Sequence, residues 1–168
     1  MDNNELKNGL KEAFDTGYLH LKRMNFALSK VKKFLPVTTD NYYSLDDDTI
    51  GFLDQYIFRF SKAQDLIGSR IFPLILQVLA EPVEDKAFID ILNRMEKLNI
   101  IDSTQNWIEL RKIRNEITHE YPSNLKERIE GINILIENLP VFQQILVRCS
   151  RLLEKHGYKI EIPNPDNL

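Results

Sequence analysis

The sequence predicts an all-α fold, a single-domain antiparallel bundle of four to five helices. Three observations carry this. Apolar residues step by three and four along nearly the whole chain, and only a weak "YKIEI" alternates like a strand. Prolines fall between the periodic stretches, or at two points inside them where they would bend a helix. A length of 168 residues, 43% hydrophobic and 28% charged, suits one soluble domain with one core.

The first helix follows from Leu6, Leu10, Phe14, Gly17, Leu21, Met24, Leu28, Val31 and Leu35, and Pro36 ends it. "PVTTDNYYSLDDD" reads as a loop; its aspartates lack the order of a calcium loop, and Asp48 is the expected cap of the next helix. That second helix spans roughly Thr49 to Ala80, with Leu53, Ile57, Phe60, Ile67, Ile71, Leu74 and Val78 inward. Pro73 lies inside it, so a bend or break is expected between Gly68 and Pro73. A short third helix covers about Asp85 to Leu98, with Phe88, Leu92 and Met95 inward. The fourth starts after Asp102 or Ser103, where Asp102 and Gln105 fit a capping-box variant, and Pro122 stops it. The fifth runs from Ser123 or Asn124 to Gly157 with a kink at Pro140. Residues 1–157 thus form the bundle, and 158–168, "YKIEIPNPDNL", are expected to be an extended or mobile tail.

Composition narrows function. A formal net charge of −3 argues against binding polyanions over the whole surface, though not against a local basic cleft. The single Cys149 precludes an internal disulfide and a multi-cysteine zinc site, so a reducing cytoplasm is the expected location. The polar start "MDNNELKNGL" is no secretory signal, and no apolar run approaches the roughly 20 residues of a membrane helix. Glycines never cluster into a phosphate-cradling loop, so the chain is not itself a nucleotidyltransferase. His20 and His156 have no partner at metal or triad spacing, and no serine sits in a nucleophile elbow. The aromatics of "DNYYSL" suit loop packing better than base stacking.

The fourth helix carries the one odd pattern, "RNEITHEY". At about 100° per residue, Trp107, Leu110, Ile113, Ile117 and Tyr121 share one face, and Glu109, Glu116 and Glu120 the opposite one. Arg114 falls in the apolar sector, where a guanidinium needs a carboxylate, a phosphate or a route to water. Asn115 and His119 stack on a neighbouring strip, His119 about 140° around from Arg114. Spacing alone leaves two readings. Arg114 is a structural ion pair, His119 a dipole contact and Tyr121 packing; or Arg114 and His119 serve one cleft. RNA cleavage by attack of the 2′-hydroxyl on its own phosphodiester gives such a pair a use. Histidine moves protons near neutral pH, and arginine's planar fork holds the phosphate. Asn115 could orient either partner. This chemistry calls for no metal and no cofactor.

"LRKIRNEITHEYP" resembles the signature of the HEPN superfamily, whose nucleases carry R-x4-6-H with a polar residue after the arginine. "LDQYIFRFSKAQDLIG" and "LNRMEKLNIIDSTQNWIELRKIRNEITHEYP" are similar to small bacterial HEPN proteins paired with minimal nucleotidyltransferases, so the likeness spans roughly the middle half of the chain. The resemblance implies a helical homodimer with its R-x4-H pairs at an interface cleft, acting as a ribonuclease toxin. Arg114 and His119 would be catalytic and Asn115 supporting. A cognate nucleotidyltransferase antitoxin would add AMP to the tyrosine of R-x4-H-x-Y, here Tyr121. Asp54 stands where members often carry an acid and would orient Arg or His. Arg111, Lys112, Lys126 and Arg128 are the local bases available for RNA, with salt-sensitive affinity. Two rivals remain: a non-cleaving substrate-binding or regulatory subunit of a nucleotidyltransferase, and a structural bundle in which Arg114 pairs with Asp54.

Overall fold

The computed structural model describes residues 3–118 and 124–161. Among these the chain is helical with no strand, an all-α bundle in one domain. The first helix, α1, is Asn3–Val31, extended by a 3-10 turn at Lys32–Phe34. A single turn, α2 (Thr39–Tyr42), sits in the loop behind Pro36, where Thr38 and Asn41 form a capping box. Asn133 ties this loop to the bundle by accepting from the Val37 N–H (3.0 Å) and donating to its carbonyl (2.8 Å).

The helix α3, Asp47–Leu66, begins two residues earlier than the sequence suggests. Asp46, not Asp48, is its cap: Asp46 alone of the two has the extended backbone that lets its carboxylate accept the Thr49 N–H, at 2.8 Å. Hydrogen bonding from the Thr49 side chain, and then from its N–H, holds the Asp46 carboxyl below its ordinary range. Asp47 and Asp48 lie in the first turn, favourably placed for the helix dipole. The expected bend near Pro73 is a π-helical turn, Ile67–Ile71, which leads without a break into α4, Phe72–Val78. Proline cannot donate to the Ser69 carbonyl and its ring crowds that oxygen; the wider turn, with Phe72 N–H bonded to Ile67 O, accommodates both.

Two further helices, α5 (Phe88–Lys97) and α6 (Thr104–Thr118), are joined by a short link fixed at both ends. Ser103 caps α6 by accepting from the Asn106 N–H, and Glu96 reaches over to accept from the Thr104 N–H at 2.6 Å. Asp102 is not the cap; its carboxylate takes Arg148 at 2.6 Å instead, which clamps the link to the last helix. The fifth predicted helix is two, α7 (Leu125–Glu137) and α8 (Leu139–Lys155), separated at Asn138. Pro140 near the start of α8 removes the donor that the Ile136 carbonyl would need to continue α7. Gly157, at φ 85°, ends α8 with Tyr158 N–H bonded back to Leu153 O. Of the tail, residues 158–161 are without regular structure, and Tyr158 and Ile160 pack against the core.

α1 and α3 run antiparallel, since His20 meets Arg59 while Phe26 meets Phe52. The core between them and α8 is aromatic. Phe60 of α3 packs on Phe142 of α8 (4.6 Å between centroids), and Phe72 of α4 on Trp107 of α6 (5.2 Å), with Trp107 also against Phe142. Trp107 thereby pins α6 to α4 and α8. Gly68 permits this approach: a Cβ there would meet Phe88 at 3.1 Å and Trp107 at 3.3 Å.

Candidate functional site

The buried residues of α6 are Thr104, Trp107, Leu110, Arg114 and Ile117, so the arginine does face the core, while Glu109 and Glu116 face water. Arg114 is 8% exposed. Every nitrogen of its side chain has a partner. Nε donates to Oε1 of Gln64 at 3.2 Å, Nη2 to Oδ1 of Asp65 at 2.5 Å, and Nη1 to Oδ2 of Asp65 at 3.4 Å. Gln64, itself buried, uses its amide Nε2 to donate to the Trp107 carbonyl at 3.2 Å. One glutamine thus joins α3 to α6 and aims the arginine at the neighbouring carboxylate. The fork-on-carboxylate geometry is the strong form of an ion pair, and it satisfies a cation that could not otherwise lie so deep.

The carboxylate is therefore Asp65, about three helical turns beyond Asp54 on the same face of α3. Asp54 lies within 3.7 Å of Arg128 of α7 instead. A pairing of Arg114 with Asp54 is thus corrected by the register of α6 against α3. Neither Gln64 nor Asp65 stood out in sequence. A signal was present: both are polar residues beside the face that carries Phe60, Ala63 and Ile67, and Asp65 follows Asp54 at a spacing that keeps one face.

The pair sits at the wall of an open groove of about 350 Å³ between α3, the end of α6 and the start of α7. Asp54, Phe58, Ser61, Lys62, Thr118 and Arg128 also line it. Asp65 lies on a ridge: its other side lines a smaller cleft of about 190 Å³ with Gly68, Trp107 and Arg111. The Arg111 guanidinium lies over the Phe88 ring there, 5.2 Å from its centroid. The remaining sequence-predicted residues are on the outside. Asn115 is exposed, Lys112 is 3.8 Å from Glu116, and Lys126 is 3.8 Å from Glu130. His119 and Tyr121 lie outside the described residues, five and seven positions beyond Arg114 and past the end of α6 as described.

Another histidine lies on α1 where it packs against α3. His20 is buried, with Nδ1 3.4 Å from Nη1 of Arg59. Burial lowers its pKa first, and the cations of Arg59 and Lys62 lower it further, so the ring is held neutral. The arrangement as a whole offers a groove with a rigidly held guanidinium, two carboxylates, two hydroxyls and further cations. No protein-family model, no curated protein and no solved structure matches this chain.

Proposed function

We propose that the chain is a HEPN-type endoribonuclease that cleaves RNA without a metal. One observation supports this most: Arg114 of the R-x4-H-x-Y stretch is held on the core face of α6 and lines an open groove of mixed polar and apolar side chains. In the proposed reaction the 2′-hydroxyl attacks the adjacent phosphorus, its proton passing to a base, while the 5′-oxygen leaves with a proton from an acid. The products are a 2′,3′-cyclic phosphate and a 5′-hydroxyl. His119 serves the proton transfers, alone or with its counterpart in a second copy of the chain. Arg114 stabilises charge on the phosphate, and Asn115 supports it. Asp54 orients the basic partners in the groove, and Arg111 and Lys112 approach the RNA backbone. The working form is a cytoplasmic homodimer whose activity is held in check by a nucleotidyltransferase that adds AMP to Tyr121. The added phosphate and base would then block the groove by charge and bulk.

A second reading is favoured by a specific observation, the full engagement of Arg114 by Asp65 and Gln64. An arginine so held keeps α3 and α6 in register without needing a substrate. The chain would then be a non-cleaving substrate-binding or regulatory subunit of a nucleotidyltransferase. The purified protein incubated with RNA in chelator separates the two. Cleavage in chelator that disappears in His119→Ala supports the nuclease. Equal cleavage by wild type and His119→Ala, or none by either, rejects it.

A further inference from the structure

The chain is net acidic, yet residues 16–39 contain Lys22, Arg23, Lys30, Lys32 and Lys33 and no Asp or Glu. Residues 55–64 likewise contain Arg59 and Lys62 and no acid. The antiparallel pairing of α1 with α3 lays these two acid-free stretches side by side. On α1, Leu19, Arg23, Phe26 and Lys30 form one exposed strip at helical spacing. On α3, Phe58 and Lys62 stand beside it. Among the described residues no carboxylate lies within ion-pair distance of Arg23, Lys30, Arg59 or Lys62. Acids border the strip: Asp54 and Asp65 stand in the groove that Phe58 and Lys62 line, facing Arg128 and Arg114 respectively. Glu12 is held by Arg70 at 2.8 Å at one end, and Asp46, Asp47 and Asp48 begin α3 at the other.

Two aromatic rings are half exposed within this basic field, Phe26 at 47% and Phe58 at 51%. Both carry cations on their faces. Lys30 is 5.0 Å from the centroid of Phe26, and Arg59 and Lys62 are 5.4 and 5.6 Å from that of Phe58. His20, neutral beneath the strip, contacts the Arg59 guanidinium that covers Phe58. The strip is also continuous with the Arg114 groove, because Phe58 and Lys62 line that groove.

We infer that this face binds single-stranded nucleic acid, leading an RNA strand from the α1–α3 strip over Phe58 and Lys62 into the Arg114 groove. The inference rests on the nuclease reading for its RNA substrate. Phosphates supply the anions the unpaired cations lack, and bases supply flat partners for the rings. Self-association through this face is disfavoured, since a two-fold contact would set like charges against one another. Insertion into a bilayer is disfavoured too: the two rings stand singly among cations, whereas an interfacial helix presents a continuous apolar face.

The test measures binding, apart from cleavage, with a short fluorescein-labelled 2′-O-methyl RNA that lacks the attacking hydroxyl, read by anisotropy at low and moderate salt. Phe58→Ala is expected to weaken binding about tenfold, with Phe58→Trp restoring it. Lys62→Glu combined with Lys30→Glu is expected to flatten the salt dependence, by a log–log slope of about 0.7 for each phosphate no longer neutralised. Lys155→Glu, the same charge change at the end of α8, serves as the control. Circular dichroism checks that each variant is folded, and light scattering its mass. Unchanged affinity in folded Phe58→Ala and in the double variant overturns the inference. So does a fall in mass that accounts for the weaker binding, which would make the face an interface between copies. Wild-type binding to phosphatidylserine vesicles but not to RNA overturns it in favour of a membrane surface. The two readings fail separately. Strip-dependent binding without any cleavage rejects the nuclease alone, and cleavage with strip-independent binding rejects the strip alone.

Discussion

Replacing Asp65 by Asn is the sharpest probe of how the bundle holds Arg114. The substitution keeps shape but removes the charge opposite a guanidinium whose side chain is 10% exposed. Breaking a fully buried pair from one side costs about 3–5 kcal/mol, and an exposed pair is worth about 0–1 kcal/mol. Asp65 itself is 47% exposed at the side chain, so water screens part of the loss, and an asparagine oxygen can still accept one hydrogen bond. The expected destabilisation is therefore about 2 kcal/mol. At about 3 °C per kcal/mol for a chain of this size, the melting temperature should fall by about 6 °C. A double-mutant cycle with Arg114→Gln, measured by urea unfolding, should return a coupling of about 1–2 kcal/mol, since removing both partners relieves the stranded cation. Glu116→Gln, in an exposed pair at 3.8 Å, is the comparison and should change stability by no more than about 0.5 kcal/mol. Equal stability of Asp65→Asn and wild type, or additivity in the cycle, would refute the argument that this pair anchors the arginine.

Other predictions follow from the same structure. Gly131→Ala should lower stability by about 1 kcal/mol: the new Cβ would lie 2.8 Å from Ile117 and 3.2 Å from Ile113, and this crowding outweighs the gain in helix propensity. Ala80→Gly should raise it by about 1 kcal/mol, because Ala80 ends α4 at φ 54°, a conformation glycine adopts without a Cβ penalty; thermal melts measure both variants. His20 is held neutral in the folded chain, so below the unfolded pKa of about 6.5 the unfolded state takes up a proton that the folded state resists. Stability from this site is thus complete above that pH and lost as pH falls below it; urea midpoints across the range should drop less steeply in His20→Gln. Burial pushes the Cys149 thiol well above its ordinary range, so it should resist a thiol reagent in the native protein and react fully in denaturant.

Much of the fold was legible because helices announce themselves locally. The stripe of α1, the disturbance before Pro73 and the inward face of α6 each follow from spacing and from what proline cannot do. The errors were of a different kind. Asp46 rather than the expected Asp48 caps α3, and of the two caps open for α6, Asp102 and Ser103, it is Ser103, because neighbouring capping residues are equivalent in sequence and only backbone angle and competing partners separate them. Asp102 was drawn away by Arg148, a residue 46 positions distant in the chain.

The site divides along the same line. The sequence alone determined that Arg114 would lie on an apolar face and need a partner, since the helical period admits no other placement. It could not choose between Asp54 and Asp65, which share a face of α3; the choice depends on how far α6 slides along α3. That register is set by Trp107 seating over Gly68 between Phe72 and Phe142, and by Gln64 bridging to the Trp107 carbonyl. The basic strip shows the same dependence. Two acid-free stretches are visible in the sequence, but each is only half a surface. The antiparallel packing of α1 on α3 makes them one, because helix faces are joined by side-chain contacts between segments that the order of residues does not relate.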